Sequence, residues 1–173
     1  ILIDKYDEKI DEDKLINLPD NIANRILDKI QLRLTTQDRD KLAKKDTESE
    51  QAKNLYLQGR YFLKRRKDGE DVQRAIDAFT QAKDIDQNYA KAWAGLADAY
   101  LALSGTGVKG SITPRESADR GKKAALKALE LDNTLSESYN SLGLISLRYD
   151  WNWAESEKYY RTAIELNKES MSP

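Results

Sequence analysis

The stretch AKAWAGLADAYLALSGTGVKGSITPRESADRGKKAALKALELD, Ala90 to Asp132, reads as two helices folded back on each other. In its first part Trp93, Leu96, Ala97 and Tyr100 recur at three- and four-residue spacing. That spacing puts bulky side chains on one helix face with a small residue among them. Ala97 is where a second helix can come close. The second helix carries Gly121, Ala125 and Ala128, a row of small residues that lets two backbones approach, and Asp132 follows as a polar stop. Its start is written in Thr113-Pro114-Arg115-Glu116: Thr as cap, Pro at the first helical position and Glu at the third.

Both flanks repeat this pattern. Upstream, Leu55, Gly59 and Phe62 precede Ala75, Phe79, Ala82 and Asp86; downstream, Tyr139, Leu142 and Gly143 precede Ser156, Tyr160, Ala163 and Asn167. On these residues the chain from Thr47 to Lys168 resembles the tetratricopeptide repeat family. That pattern is an aromatic residue, Leu-Gly, Tyr, then Ala, Phe, Ala and Pro over about 34 residues. The resemblance implies an all-α fold: a right-handed helical solenoid of three helix-turn-helix repeats, at about 47–87, 88–133 and 134–168. One or two helices and a linker precede it in 1–46, and 169–173 form a tail.

The departures from the family pattern are specific. Gln87, Asn133 and Lys168 stand where the family has its closing Pro, so each turn between repeats lacks that stiffener. Ser146 replaces the preferred Tyr in the third copy, and Gln58 the preferred Leu in the first. Extra residues fall around Asp68-Gly69-Glu70-Asp71 and between Ser104 and Thr113, where insertions in a stacked array map to loops.

Leu142-Gly143-Leu144-Ile145, the run Tyr149 to Ala154 and Ala163 to Asn167 narrow the resemblance. They are similar to repeat arrays at the carboxyl end of multidomain bacterial signalling proteins: protein kinases, nucleotide cyclases and winged-helix regulators with a TolB/FlgO-like domain. Ile1 to Asp7 resembles the exit segment of such a domain. Because the sequence starts at Ile1 and ends soon after a helix, the expectation is an excised fragment following an upstream domain.

Composition bounds the chemistry. The 173 residues carry 34% charged side chains and a net charge of -1, so no overall field draws nucleic acid or an anionic membrane. Cysteine and histidine are both absent, which removes disulfides, thiolate nucleophiles, Cys/His zinc sites and every Ser-His-Asp or Cys-His arrangement. No run approaches a membrane span, and the amino end lacks a signal pattern. The expectation is a soluble, cytoplasmic, non-catalytic chain without cofactor or metal.

Along the chain, the acidic cluster from Asp11 to Lys14 lacks the Gly and terminal Glu of a calcium loop and reads as linker. Asp20 caps a helix with Ile22, Ile26, Leu27, Ile30 and Leu34 on one face, and Thr36 or Asp38 opens a short second one. Thr47-Glu48-Ser49-Glu50 reads as a capping box at the start of the array. Helices are predicted over 48–66, 71–85, 89–103, 114–131, 135–148 and 152–167, with Thr134 and Asp150 capping the last two.

Three motifs have a chemical reading that context weakens. Gly105-Thr106-Gly107-Val108-Lys109-Gly110 matches G-x-G-x-x-G, yet it follows a helix rather than a strand and reads as a flexible loop or a flap over a groove. Lys64-Arg65-Arg66-Lys67 could meet phosphate, but it suits the carboxyl end of a helix and Asp68, Glu70 and Asp71 dilute it. Trp151 and Trp153 flank Asn152 and cannot share a helix face; one is expected in the core and the other exposed.

The resemblance implies a concave groove lined by the first helix of each repeat. Its positions fall on Lys53, Tyr56, Arg60 and Lys64, on Lys91, Asp98 and Leu101, and on Asn140, Leu144 and Arg148. Basic residues predominate there, so the expected ligand is a protein or peptide segment of acidic character. At the positions of the family's two-carboxylate clamp stand Tyr56, Arg60, Gly95, Glu137 and Ser141, so a chaperone-tail adaptor is disfavoured. The alternative is a structural spacer or a self-association module acting through the uncapped last repeat.

Overall fold

Small side chains at the helix contacts decide how closely this chain packs. The computed structural model describes residues 46–65, 69–105 and 112–171. All belong to the second of the two units into which the chain divides, Lys45–Pro173. The expected helix at 18–34, the helix opened by Thr36 or Asp38, the acidic linker at 11–14 and the exit segment at 1–7 lie outside the described residues.

The described chain is all-helical, with six helices: α1 Glu50–Arg65, α2 Gly69–Ile85, α3 Ala90–Gly105, α4 Pro114–Leu131, α5 Ser136–Arg148 and α6 Trp153–Met171. Each helix packs on the next in chain order, and α1 meets α3 as α3 meets α5, so the odd-numbered helices form a row. The main core joins Val72, Ile76 and Phe79 of α2 to Leu96, Ala97 and Ala99 of α3, Ala124 and Ala125 of α4 and Leu142 of α5.

Phe79 is the central side chain of this core and is fully buried. A Cβ at Gly59 would stand 2.6 Å from its ring, and one at Gly95 2.5 Å, so α1 and α3 close on the ring from two sides only because both positions lack a side chain. Tyr160 of α6 lies in the same way over Gly143 of α5, where a Cβ would meet the ring at 3.1 Å. Between them, Gly121 of α4 approaches the Ala97 carbonyl of α3, as the small-residue row requires.

The hairpins are also tied by polar groups. Ser117 donates its hydroxyl to the Tyr100 carbonyl at 2.8 Å, and Ser156 donates to the Gly143 carbonyl at 2.9 Å. In each case the first turn of one helix satisfies a carbonyl of the preceding helix. At the α1/α2 end, Arg65 donates from Nε and Nη2 to the two oxygens of Asp71, whose side chain is buried. The Arg65 guanidinium also lies 5.7 Å from the Tyr61 ring centroid and 5.8 Å from that of Phe62. Arg65 of the basic run is therefore a clamp on the hairpin; Arg66 and Lys67 lie outside the described residues.

The turns between hairpins repeat one another without proline. Asp86 accepts the Asn88 N–H at 3.0 Å and Asp132 accepts the Thr134 N–H at 3.0 Å, each side chain bonding the backbone two residues on. The stiffening absent at Gln87 and Asn133 is supplied one residue earlier by aspartate.

Helix starts follow the expectation at α4 and depart from it elsewhere. Thr113 accepts the Glu116 N–H at 3.1 Å with Pro114 at the first helical position. At α1 the cap is Ser49, which accepts the Ala52 N–H at 3.2 Å, whereas Thr47 accepts the Ser49 N–H at 3.1 Å just before the helix and donates its hydroxyl to Asp86. Thr134 does not cap α5: its hydroxyl goes to Asp132, and the cap position is Leu135, with no side-chain bond. Asp150 does not cap α6 either. Asn152 does, accepting the Glu155 N–H, because Asp150 is held by Lys122 and Arg115. The chain reaches α6 through Trp151 in the left-handed region at φ 54°. Both Trp151 and Trp153 are exposed, at 70% and 65%, so neither is the core residue expected of the pair.

Candidate functional site

Along the row of α1, α3 and α5, three successive turns face a common hollow of about 970 Å³. Helix α1 contributes Leu57, Arg60, Tyr61, Leu63 and Lys64; α3 contributes Asp98, Leu101 and Ala102; α5 contributes Asn140, Ser141, Leu144 and Arg148. The helical period explains the set. Residues three and four apart share a face, so Leu57, Arg60, Tyr61 and Lys64 point one way.

The polar centre of the groove is Asp98. Ser141 of α5 donates its hydroxyl to Oδ1 at 2.5 Å, and Arg60 Nη1 of α1 lies 3.9 Å from Oδ2. One carboxylate on α3 is thus read by both neighbouring helices. Its charge answers that of Arg60 in part, while Lys64 and Arg148 have no ion-pair partner among the described residues. Three cations against one carboxylate leave the groove basic, and the leucines at 63, 101 and 144 give it an apolar floor. Such a surface can hold carboxylates at its rim, accept aliphatic side chains at its floor and offer Asn140 to a backbone amide.

Seven of the ten groove residues read from the sequence meet in this hollow: Arg60, Lys64, Asp98, Leu101, Asn140, Leu144 and Arg148. Three are placed otherwise. Tyr56 is half-buried with its ring 5.7 Å from Phe79 and 5.4 Å from Tyr89, and burial raises its phenol above the ordinary value against the opposing pull of Arg60. Lys91 pairs with Asp46 at 2.6 Å. Lys53 is exposed in the early turns of α1 and is not a lining residue. Leu57 and Tyr61, exposed at 53% and 60%, are lining residues that the family positions did not select. Their signal was present: each is three residues from a groove position already read, Leu57 from Arg60 and Tyr61 from Lys64. The loop that could flap over the groove, beyond Gly105 as far as Ser111, lies outside the described residues.

A second polar cluster fastens α4 to the turn before α6. Lys122 Nζ donates to Asp150 Oδ2 at 2.6 Å, and Arg115 Nη2 lies 3.0 Å from Asp150 Oδ1. The Lys122 hydrogen bond, with the charge of Arg115 behind it, holds the Asp150 carboxyl below the usual range, and the same bond raises Lys122. Among the described residues no cluster of three or more Asp and Glu is placed to hold a metal ion, and no helix is long and apolar enough to cross a membrane.

No family model matches the chain, and no curated protein matches it.

Proposed function

We propose that residues 47–168 form a tetratricopeptide-type solenoid that holds an acidic peptide segment in the groove of α1, α3 and α5. The observation that carries this reading is the basic, leucine-floored hollow built by three helices from different hairpins. Lys64 and Arg148 at its rim offer cationic groups to carboxylates, and Asp98, fixed by Ser141 and Arg60, excludes a second acidic group from the centre. The repeat reading is supported by the recurrence of one contact, an aromatic ring over a glycine, at Phe79 with Gly59 and at Tyr160 with Gly143. The wider assignment, to a recruitment part of a bacterial signalling protein, rests on the sequence pattern at 142–167.

The test is fluorescence anisotropy with extended peptides of matched length, acidic-apolar against basic-apolar, at low and moderate salt. The acidic series is expected to bind, to weaken with salt, and to lose affinity in Lys64→Ala/Arg148→Ala. Equal binding of both series would contradict the acidic preference, and no binding of either would favour the ligand-free spacer.

A further inference from the structure

The face that α2 turns to α3 has a counterpart on α6 that nothing covers among the described residues. Aligning Phe79 with Tyr160 pairs Val72, Ile76 and Lys83 with Trp153, Glu157 and Ile164. On α2, Val72, Ile76 and Phe79 are buried, and Lys83 lies over the Trp93 ring of α3 at 5.0 Å. On α6, Trp153 is 65% exposed and Ile164 53%, with Glu157 exposed between them. The stripe is narrow and straight. Trp153 and Ile164 are three turns apart, about 16 Å at 1.5 Å per residue, and both fall on one side of the helix with Tyr160 between them.

We infer that this stripe is a homodimer contact in which α6 pairs antiparallel with α6 of a second copy. A two-fold contact must be self-complementary, each residue meeting its counterpart's partner in both directions. The stripe satisfies this condition. Pairing Glu157 with Arg161 of the second copy brings Trp153 to within one residue, about 1.5 Å along the axis, of Ile164 at both ends, so on the stripe apolar meets apolar and acid meets base. Glu157 and Arg161 are already disposed for exchange, since within one helix they form an exposed pair at 2.6 Å. A parallel arrangement would set Glu157 against Glu157 and Arg161 against Arg161. The inference is independent of the groove, which lies on the odd-numbered helices.

The test uses the full chain in sedimentation equilibrium over a range of concentrations, with helical circular dichroism as the folding control. A dimer is expected, weakened at least about tenfold by Glu157→Arg alone and by Arg161→Glu alone. An equimolar mixture of the two single variants should dimerise like the parent, because each then presents to the other the charge it lacks. The mixture cannot restore the intrahelical pair, so its recovery reports only the contact between copies. Trp153→Asp should give a folded monomer. A parent that is monomeric throughout, or single variants that dimerise unchanged, or a mixture that fails to recover, would overturn the proposal.

Discussion

Phe79 lies so close to Gly95 that a Cβ at residue 95 would stand 2.5 Å from the ring atom Cε1. Two helix preferences conflict there. Alanine is better than glycine in a helix interior by about 1 kcal/mol, whereas overpacking a rigid core costs about 1–3 kcal/mol. The ring has Gly59 behind it and cannot retreat, so the clash wins. Gly95→Ala is predicted to lower stability despite its helix propensity, by up to about 2 kcal/mol net. Urea unfolding measures it, and Phe79→Leu in the same chain should reduce the penalty of Gly95→Ala, a coupling that a double-mutant cycle reports.

The caps make a paired prediction. Thr113→Ala removes the acceptor for the Glu116 N–H at the start of α4 and should cost about 1 kcal/mol. Thr134→Ala removes a hydroxyl that bonds Asp132 and caps no helix, so its effect should be smaller. Thermal unfolding of the two variants side by side tests the assignment; equal losses would contradict it.

Asp150 predicts a pH dependence. Its carboxyl titrates below the ordinary value in the folded chain, so the unfolded chain takes up this proton first as pH falls. The stabilisation is fully present above the ordinary carboxylate pKa of about 3.9 and is lost as pH drops through the depressed folded value. Asp150→Asn should lower stability at neutral pH by up to about 1 kcal/mol and flatten the acid limb of the curve of melting temperature against pH. The difference between parent and variant should vanish at the acid end.

Trp151 occupies φ 54° with 70% of its surface exposed, so its side chain gains little while its backbone is strained. A non-glycine residue in this region costs about 1–2 kcal/mol. Trp151→Gly is expected to raise the melting temperature, and a fall would show that the indole makes a stabilising contact.

Much of this was legible in the sequence because the helices are amphipathic and the contact positions carry small residues. Pro114 as the first residue of α4 and Leu131 as its last were both readable, since Thr, Pro and Glu at the start and a polar stop at the end each have one local reading. The caps of α5 and α6 were not. Thr134 and Asp150 stand in polar clusters where several groups could cap: Asp132, two residues back, takes the Thr134 hydroxyl, while Lys122 and Arg115, distant in sequence, hold Asp150 and Asn152 caps the helix. The groove was half-legible for a similar reason. Arg60, Asp98 and Arg148 follow from the groove positions that the resemblance implies, but Lys91 and Tyr56 come from the same positions and are drawn off by Asp46 and by the rings of Phe79 and Tyr89. The repeated Asp86 and Asp132 turns could have been read from their spacing to the next helix, each aspartate standing one residue before the position where proline is missing.

The row of α1, α3 and α5 is proposed to hold an acidic peptide. Amide chemical-shift mapping during titration with an acidic, leucine-containing peptide tests it most directly. Perturbations are expected to concentrate at Arg60 to Lys64, Asp98 to Ala102 and Asn140 to Arg148, and to be lost in Lys64→Ala/Arg148→Ala. Perturbations confined to α2, α4 and α6, or a map unchanged by those two substitutions, would contradict it.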